Sequence, residues 1–388
     1  MVSFLAGPKR SLLLMALISF IDAGQVFKLH TQYKLENMTK KKIRLVICFA
    51  ISFFWVNAQR YVWSPDSIAE NNPNYGMDRY HDVLRYHNPF MYLAYPIVEP
   101  LAERQLPLED GEGKDGYWLE GNFAYRFAIY KGKYYNYSFF QRLRPTLDVD
   151  LLVRLTKDLS NPLLPSSNKI GVGLDFLLSS LEGLKKEKAT LIWATGLLHH
   201  YSNGQADSFF IENPIKRNNY RNGDFSTNYY KVMLNIAGTS QQRNIVSGGI
   251  GFQKQVDLGG PLASSKELEH YYGSERALFT FQWTTKPLLA TFNYQNRATA
   301  ERDTVRLVKR RQVTFRTELD YILKGVSEFT GENKRKFGWH NYLTYMPSVS
   351  NEVGFILHTY LGRDYLNIRF DDVVFVGELG VCVKFNGH

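Results

Sequence analysis

From Tyr117 onward, apolar and polar residues alternate along the chain with a period of two. Between 117 and 130, Tyr117, Leu119, Phe123, Tyr125, Phe127 and Ile129 fall on one face, while Glu120, Asn122 and Arg126 fall on the other. Residues 147–154 repeat the pattern, with Leu147, Val149, Leu151 and Val153 set against Asp148, Asp150 and Arg154. Further runs lie at about 169–178, 189–202, 225–237, 245–256, 277–296, 306–323, 336–346, 352–361 and 373–385. Residues i and i+2 of a strand share a face, so each run predicts a strand with one apolar and one polar side. Residues 59–115 are irregular and polar, broken by Asn71-Asn72-Pro73-Asn74 and Glu109-Asp110-Gly111-Glu112-Gly113, with 90–98 as one further candidate strand. The total depends on whether 277–296 is one strand or two and on whether 90–98 contributes. A soluble sandwich alternates too, but its strands seldom exceed roughly 10 residues. Bacterial barrels favour even strand numbers. The expectation is an all-β fold, a transmembrane antiparallel β-barrel of about 12 strands.

Composition agrees with this reading. The 388 residues include 25 Tyr and 26 Phe, and 44% are hydrophobic. The mean hydropathy is nevertheless only −0.29. A helical membrane protein would be far more apolar, whereas a barrel strand is polar on one side and aromatics girdle both interfaces. The net charge of +10 comes from Lys and Arg scattered through the strand-like runs. That distribution predicts a solvated or headgroup-facing surface and no nucleic-acid partner.

The N-terminus carries the targeting information. Lys40, Lys41, Lys42 and Arg44 precede an apolar core from Leu45 to Val56, and Val56-Asn57-Ala58 is a cleavage site before Gln59. This is a complete secretory signal peptide beginning at Met38. Residues 1–37 are then upstream sequence, or an extension whose own apolar run, Leu12 to Ile18, does the targeting. The expected organisation is an extension over 1–37, a signal peptide over 38–58, a periplasmic segment over 59–88 and the barrel over 89–388. Cys48 departs with the signal and Cys382 stands alone, so no disulfide framework is expected.

One motif carries chemistry: His200-Tyr201-Ser202-Asn203-Gly204. Alternation places Ile192, Ala194, Gly196, Leu198, His200 and Ser202 on one small, apolar, lipid-facing stripe. In the next run Asn228 shares a face with Tyr230, Val232, Leu234 and Ile236. Three polar groups thus converge at the ends of stripes where lipid belongs. Serine is a weak nucleophile until an imidazole accepts its proton, and the imidazole needs a partner that fixes its tautomer. A neutral amide can do so without a charge having to be desolvated against a bilayer. Gly204 lets the backbone approach a substrate and offers an N–H to a developing oxyanion. The alternative is three interfacial polar residues capping their strands; their common face favours catalysis. Other motifs carry less. Gly248-Gly249-Ile250-Gly251 precedes no helix and reads as a closely packed strand, and His340 and His358 read as ordinary strand residues.

These residues resemble the outer-membrane phospholipase A family, twelve-stranded barrel enzymes of Gram-negative outer membranes. The family carries H-x-S-N-G at the end of one strand and S-x-N at the start of the next, here His200 to Gly204 and Ser226-Thr227-Asn228. Ser160-Asn161-Pro162 with Ser167-Asn168, Asn88-Pro89-Phe90, and Thr359-Tyr360-Leu361-Gly362 through Phe370 resemble further family segments. The resemblance implies Ser202 as nucleophile, His200 as base, Asn228 as orienting residue and Gly204 in the oxyanion hole. It also implies calcium beside the site, at positions corresponding to Ser160, Gln205 and Asp224. The implied substrate is phospholipid, the setting outer-membrane lipid, and a homodimer is among the expected partners. Gln205 stands where the family has arginine, the catalytic loop is longer, and the Asp148–Asp150 region lacks the family's interface glutamine. Two rivals remain open: a barrel deacylating lipid A, which pairs H-x-S-N with a glutamate, and a catalytically silent pore or structural barrel.

Overall fold

The computed structural model describes residues 84, 90–98, 117–129, 138–156, 163–179, 190–212, 216–220, 222–239, 244–265, 268–285, 294–295, 302–303, 312–325, 336–347, 353–370 and 372–383. The expected extension, the signal peptide and Ser160 lie outside these residues. The strands, in chain order, are β1 (Met91–Val98), β2 (Tyr117–Ala128), β3 (Leu143–Thr156), β4 (Ser167–Leu177), β5 (Leu191–Ser202), β6 (Phe210–Glu212), β7 (Lys216–Asn218) and β8 (Ser226–Thr239). They continue as β9 (Ile245–Gln255), β10 (Glu275–Thr284), β11 (Tyr294–Gln295), β12 (Arg302–Asp303), β13 (Gln312–Lys324), β14 (Phe337–Met346), β15 (Val353–Arg363) and β16 (Val373–Val383). Two single-turn helices, α1 (Ser138–Gln141) and α2 (Leu268–Tyr271), sit in connections.

Twelve of these strands form one closed barrel, in the order β1-β2-β3-β4-β5-β8-β9-β10-β13-β14-β15-β16, with β16 returning to β1. All neighbours are antiparallel. β6 and β7 form a separate hairpin within the loop after β5, and β11 pairs with β12 outside the barrel. The two ambiguities in the count are thereby resolved. The stretch 90–98 supplies β1, which closes the barrel through Met91↔Val383 and its neighbours. The run 277–296 supplies a single barrel strand, because β10 ends at Thr284.

The barrel is polar inside and apolar outside, the reverse of a soluble one. On β5 the odd positions are buried, including Trp193 and Tyr201, while Leu198 on the even stripe is exposed. Ile170, Val172 and Leu174 of β4 and Val232 and Leu234 of β8 are likewise exposed on the outer face. Such an apolar belt on a closed antiparallel sheet is what a bilayer solvates, and closure leaves no strand edge unpaired there. Gly249 and Gly251 belong to close-packed strand, as expected: a Cβ at Gly251 would run into the Val232 carbonyl oxygen, and one at Gly249 into Asn235 Oδ1. Cys382 is buried and free.

Inside, several charges are paired. Arg126 bridges Asp148 at 2.8 Å, Lys169 reaches Asp150 at 3.0 Å and Arg276 meets Asp320 at 2.9 Å. The densest network lies across the closing seam. Arg154 Nε meets Glu120 Oε2 and its Nη1 meets Asp364 Oδ1, both at 2.7 Å, with the guanidinium between the rings of Tyr117 and Tyr365. Tyr92 of β1 donates to Glu120 of β2, Tyr117 of β2 donates to Glu378 of β16, and His358 of β15 pairs with Glu378 at 2.8 Å. Burying an ion costs several kcal/mol unless its partners are well placed, so the short β1 seam is fixed by a network that only the closed barrel completes. At the end carrying β5 Ser202, Tyr201, Phe209, Phe225, Tyr229, Leu268 and Phe370 pack into one apolar cluster. A cavity of about 360 Å³ remains within the barrel, lined by residues including Asp148, His199 and Lys231.

Candidate active site

β5 and β8 pair so that His200 lies directly opposite Asn228, and Ser202 opposite Ser226. All four belong to the outward stripes, so the site opens to the surrounding lipid rather than to the lumen. His200 Nδ1 lies 2.9 Å from Asn228 Oδ1. The other end of that amide decides the chemistry. Asn228 Nδ2 donates to the Leu262 carbonyl at 2.5 Å and to Ser264 Oγ at 3.4 Å. A carbonyl can only accept, so the amide nitrogen must face Leu262 and the amide oxygen must face His200. An amide oxygen also only accepts, so His200 carries its proton on Nδ1 and leaves Nε2 as a base.

Leu262 and Ser264 belong to a strap, residues 257–265, laid over the outer end of β8. Gly259 and Gly260 have φ of 66° and 58°, a left-handed turn that favours glycine. Asp257 Oδ1 accepts from Gly259 N at 3.0 Å and Ser264 N at 3.3 Å. These two N–H groups hold the Asp257 carboxyl below the usual carboxylate range. Ser226 N donates to Ser265 Oγ, Ser265 N to Ser226 O, and Ser226 Oγ to Ala263 O, all between 2.8 and 3.0 Å. The strap explains why Asn228 is fully buried on an outward stripe. Its own leucines, Leu258 and Leu262, stay exposed beside the site.

Ser202 lies two residues beyond His200 on the same stripe, with Asn168 of β4 as its direct neighbour on the other side. Its hydroxyl makes no hydrogen bond among the described residues, so the Ser202–His200 contact is not formed here. Catalytic hydrogen bonds are commonly long without substrate and tighten in the complex. The chain then turns away through Asn203, which is buried and ties the loop's two ends together. Asn203 N donates to Phe225 O at 3.0 Å, Asn203 Nδ2 donates to Gly223 O at 2.8 Å, and Asn203 Oδ1 accepts from Gln205 N and Phe225 N at 3.1 Å. This staple sets Gly204 at φ 69°, a conformation that L side chains rarely adopt. The Gly204 N–H donates to no other group among the described residues and stays available beside Ser202.

Of the residues expected to hold calcium, Gln205 and Asp224 both lie in this loop. Asp224 Oδ2 accepts from Ser265 Oγ at 2.9 Å, and Asp224 N donates to Asp207 O at 2.8 Å. Asp224 Oδ1 has no partner among the described residues. A carboxylate oxygen left free in this loop is the donor chemistry that suits a hard cation such as calcium.

His340 of β14 and His358 of β15 are strand residues, as expected, and their rings join the interior network. Among the described residues, Glu120, His358 and Glu378 are the group whose ligand atoms lie close enough to share a metal ion. They occupy the closing seam, inside the barrel. Their acceptors are already taken: Glu120 by Tyr92, Tyr365 and Arg154, Glu378 by Tyr117 and His358, and His358 Nε2 by His340. With the Arg154 guanidinium on Glu120, the group fits a hydrogen-bond network better than a cation site. Ligand spacing along the chain could not reveal it, because three different strands contribute. The strap and the Asn203 staple were also missed; the only signal for the strap was the turn sequence Asp257-Leu258-Gly259-Gly260-Pro261.

No family model matches the chain, and no curated protein matches it. Several solved structures resemble it, among them the following. Outer membrane phospholipase A from Escherichia coli superposes with a TM-score of 0.44 and 13% identity, over 76% of this chain and 89% of that one. An active-site mutant of the same enzyme gives 0.44 and 11% over the same shares. The Salmonella typhi outer membrane phospholipase dimer with bound calcium gives 0.43 and 12%, over 76% of this chain and 90% of that one. At such distance these likenesses assign no chemistry, and the case for function rests on the site itself.

Proposed function

We propose that this protein is an outer-membrane phospholipase that hydrolyses the acyl esters of glycerophospholipids through a Ser202–His200–Asn228 triad. The observation that carries the reading is the His200–Asn228 pair, set on a lipid-facing stripe with its amide orientation enforced by the Leu262 carbonyl. A phospholipid lying along the barrel can bring its ester to Ser202 without leaving the membrane. His200 Nε2 takes the Ser202 proton as the hydroxyl oxygen attacks the acyl carbon, and returns it to the departing lysophospholipid oxygen. A water activated by the same nitrogen then releases the fatty acid from Ser202. The Gly204 N–H faces the oxyanion formed in each half. Asp224 Oδ1 and carbonyls such as that of Gln205, with Ser160 as a further ligand, would hold calcium, which would supply positive potential near that charge.

A lipid A deacylase would place a carboxylate on the histidine, where this chain has Asn228. A pore would need an open lumen, whereas an apolar cluster that includes Tyr201, Phe225 and Phe370 packs at the end beneath the site. Fatty acid release from phospholipid vesicles, measured for the wild type and Ser202→Ala with and without calcium, tests the proposal. Serine-dependent release supports it. Ion conductance without any release overturns it.

A further inference from the structure

Asn168 is the residue of β4 that pairs directly with Ser202. Directly opposed residues of an antiparallel pair hold their Cβ atoms about 4.5–5.5 Å apart on one face, so the Asn168 amide and the Ser202 hydroxyl are immediate neighbours. The rest of the Asn168 stripe is apolar, with Ile170, Val172 and Leu174 exposed and Phe176 beyond them. An amide with an unsatisfied donor at the edge of such a stripe costs free energy against lipid, so its presence asks for a role. Its orientation suggests one. Asn168 Oδ1 accepts from Ser166 Oγ at 3.1 Å, which leaves Nδ2 without a partner among the described residues. That nitrogen lies 4.0 Å from the point where a Cβ on Gly204 would stand. Two unused donors, Asn168 Nδ2 and the Gly204 N–H, therefore flank Ser202.

We propose that the Asn168 carboxamide is the second oxyanion donor of this site. The inference rests on the hydrolase reading given above. As Ser202 Oγ bonds to the acyl carbon, the carbonyl π pair moves onto oxygen and the serine proton passes to His200 Nε2. The new oxyanion receives hydrogen bonds from the Gly204 N–H on one side and Asn168 Nδ2 on the other. Both weaken as the C–O bond to the lysophospholipid breaks and the carbonyl re-forms. In a lipid-facing site most backbone N–H groups are spent on the barrel ladder, so a side-chain donor from the adjacent strand supplies what the backbone cannot. Such a donor acts in a poorly screened environment, where losing one lowers turnover by about 10²–10³-fold.

The test compares kcat and KM on mixed micelles of a defined phosphatidylcholine for wild type, Asn168→Ala, Asn168→Asp and Ser202→Ala. Asn168→Ala should lower kcat by about 10²-fold with KM nearly unchanged, since the bond forms chiefly in the transition state. Asn168→Asp keeps the shape but replaces the donor with negative charge, and should fall at least as far. Heat-modifiable gel migration checks that each variant forms a barrel, and if Asn168→Ala does not, the isosteric Asp variant carries the measurement. If the wild type hydrolyses in a Ser202-dependent way while Asn168→Asp retains kcat, the oxyanion role alone is overturned. A raised KM with intact kcat overturns it too, in favour of ground-state binding. A wild type without hydrolysis overturns both this inference and the reading beneath it.

Discussion

His200 and Asn228 face each other across the β5–β8 ladder with Nδ1 2.9 Å from Oδ1, and a residue from neither strand, Leu262, decides which way the amide points. Cross-strand register alone brings the two side chains together but permits either amide orientation. With Nδ2 toward the imidazole, Nδ1 would have to accept, and the proton would sit on Nε2, where a base is needed. The carbonyl of the strap removes that possibility. The third member of the proposed triad is therefore better described as an amide held between the histidine and the strap than as a residue of β8 alone.

This arrangement ranks the triad. Ser202→Ala and His200→Ala should each abolish nearly all phospholipid hydrolysis, because nucleophile and base act as a unit. Asn228→Ala should cost less, about 10²-fold in kcat, since it loosens the imidazole without removing the proton acceptor. All three variants should fold, as each side chain points outward from the ladder. A fluorophosphonate probe should label the wild type at Ser202 and fail on Ser202→Ala; labelling elsewhere with Ser202 untouched would refute the assignment.

The strap makes a second, more distant prediction. Asp257 holds Gly259 N and Ser264 N, so Asp257→Ala should free the turn that presents the Leu262 carbonyl, lowering kcat by about tenfold. Asp257→Asn retains an acceptor oxygen and should recover much of the loss. Because backbone donors lower the Asp257 pKa in the folded chain, its ionised contribution is complete above the ordinary carboxylate range. It is lost only as pH falls through the depressed value. The Asp257→Ala defect should therefore be constant from about pH 6 to 9, a range well above the unperturbed Asp pKa. A defect that grows steadily across that range would assign Asp257 a different role.

Closure of the barrel should depend on the interior rather than the outer face. Arg154 of β3 bonds Glu120 of β2 and Asp364 beyond β15 and lies between two tyrosine rings, so it links the strands on either side of the β1–β16 closure. Removing one partner of a buried ion group strands the others, at a cost of about 3–5 kcal/mol. Arg154→Met should accordingly lower unfolding stability by that order in urea titrations of detergent- or vesicle-bound protein. Substituting exposed Leu234 with Val, which keeps an apolar surface toward lipid, should change it by under about 1 kcal/mol.

Much of this was legible in the alternation. The stripe His200–Ser202 and the placement of Asn228 follow from a period of two, because that period is what the pleat imposes. The same rule set Glu120 and Arg154 on the polar sides of their runs, and in the barrel they line the lumen. A two-residue period separates the faces of a strand but does not say what the polar face meets. β1 was ambiguous for a different reason: it is eight residues long, carries Pro96 and sits between polar segments, so only its partners β16 and β2 identify it. The strap was invisible because Asp257-Leu258-Gly259-Gly260-Pro261 reads as an ordinary turn, and its contact with Asn228 spans 34 residues. Asn168 was within reach, since its outward parity matches that of Ser202, but its pairing depends on a register that no residue pattern states.

The loop carboxylate Asp224 sits at the junction of two requirements, and this shapes how calcium should be tested. Oδ1 is free to join a cation, while Oδ2 accepts from Ser265, whose backbone and hydroxyl bind Ser226. Asp224→Ala should thus raise the calcium needed for half-maximal activity by several-fold, through loss of a charged ligand. It should also lower activity at saturating calcium, through loss of an anchor on the strap. Ser265→Ala removes the anchor and keeps the carboxylate, so it should lower activity at saturating calcium while leaving the calcium midpoint nearly unchanged. Asp207→Ala is the internal control, because Asp207 meets Asp224 through its backbone carbonyl, which the substitution preserves. Calcium titrations of vesicle hydrolysis, paired with direct binding of calcium to each inactive Ser202→Ala double variant, separate the two effects. Equal midpoints for Asp224→Ala and the wild type would move the ion elsewhere, and unchanged activity in excess chelator would remove calcium from the mechanism altogether.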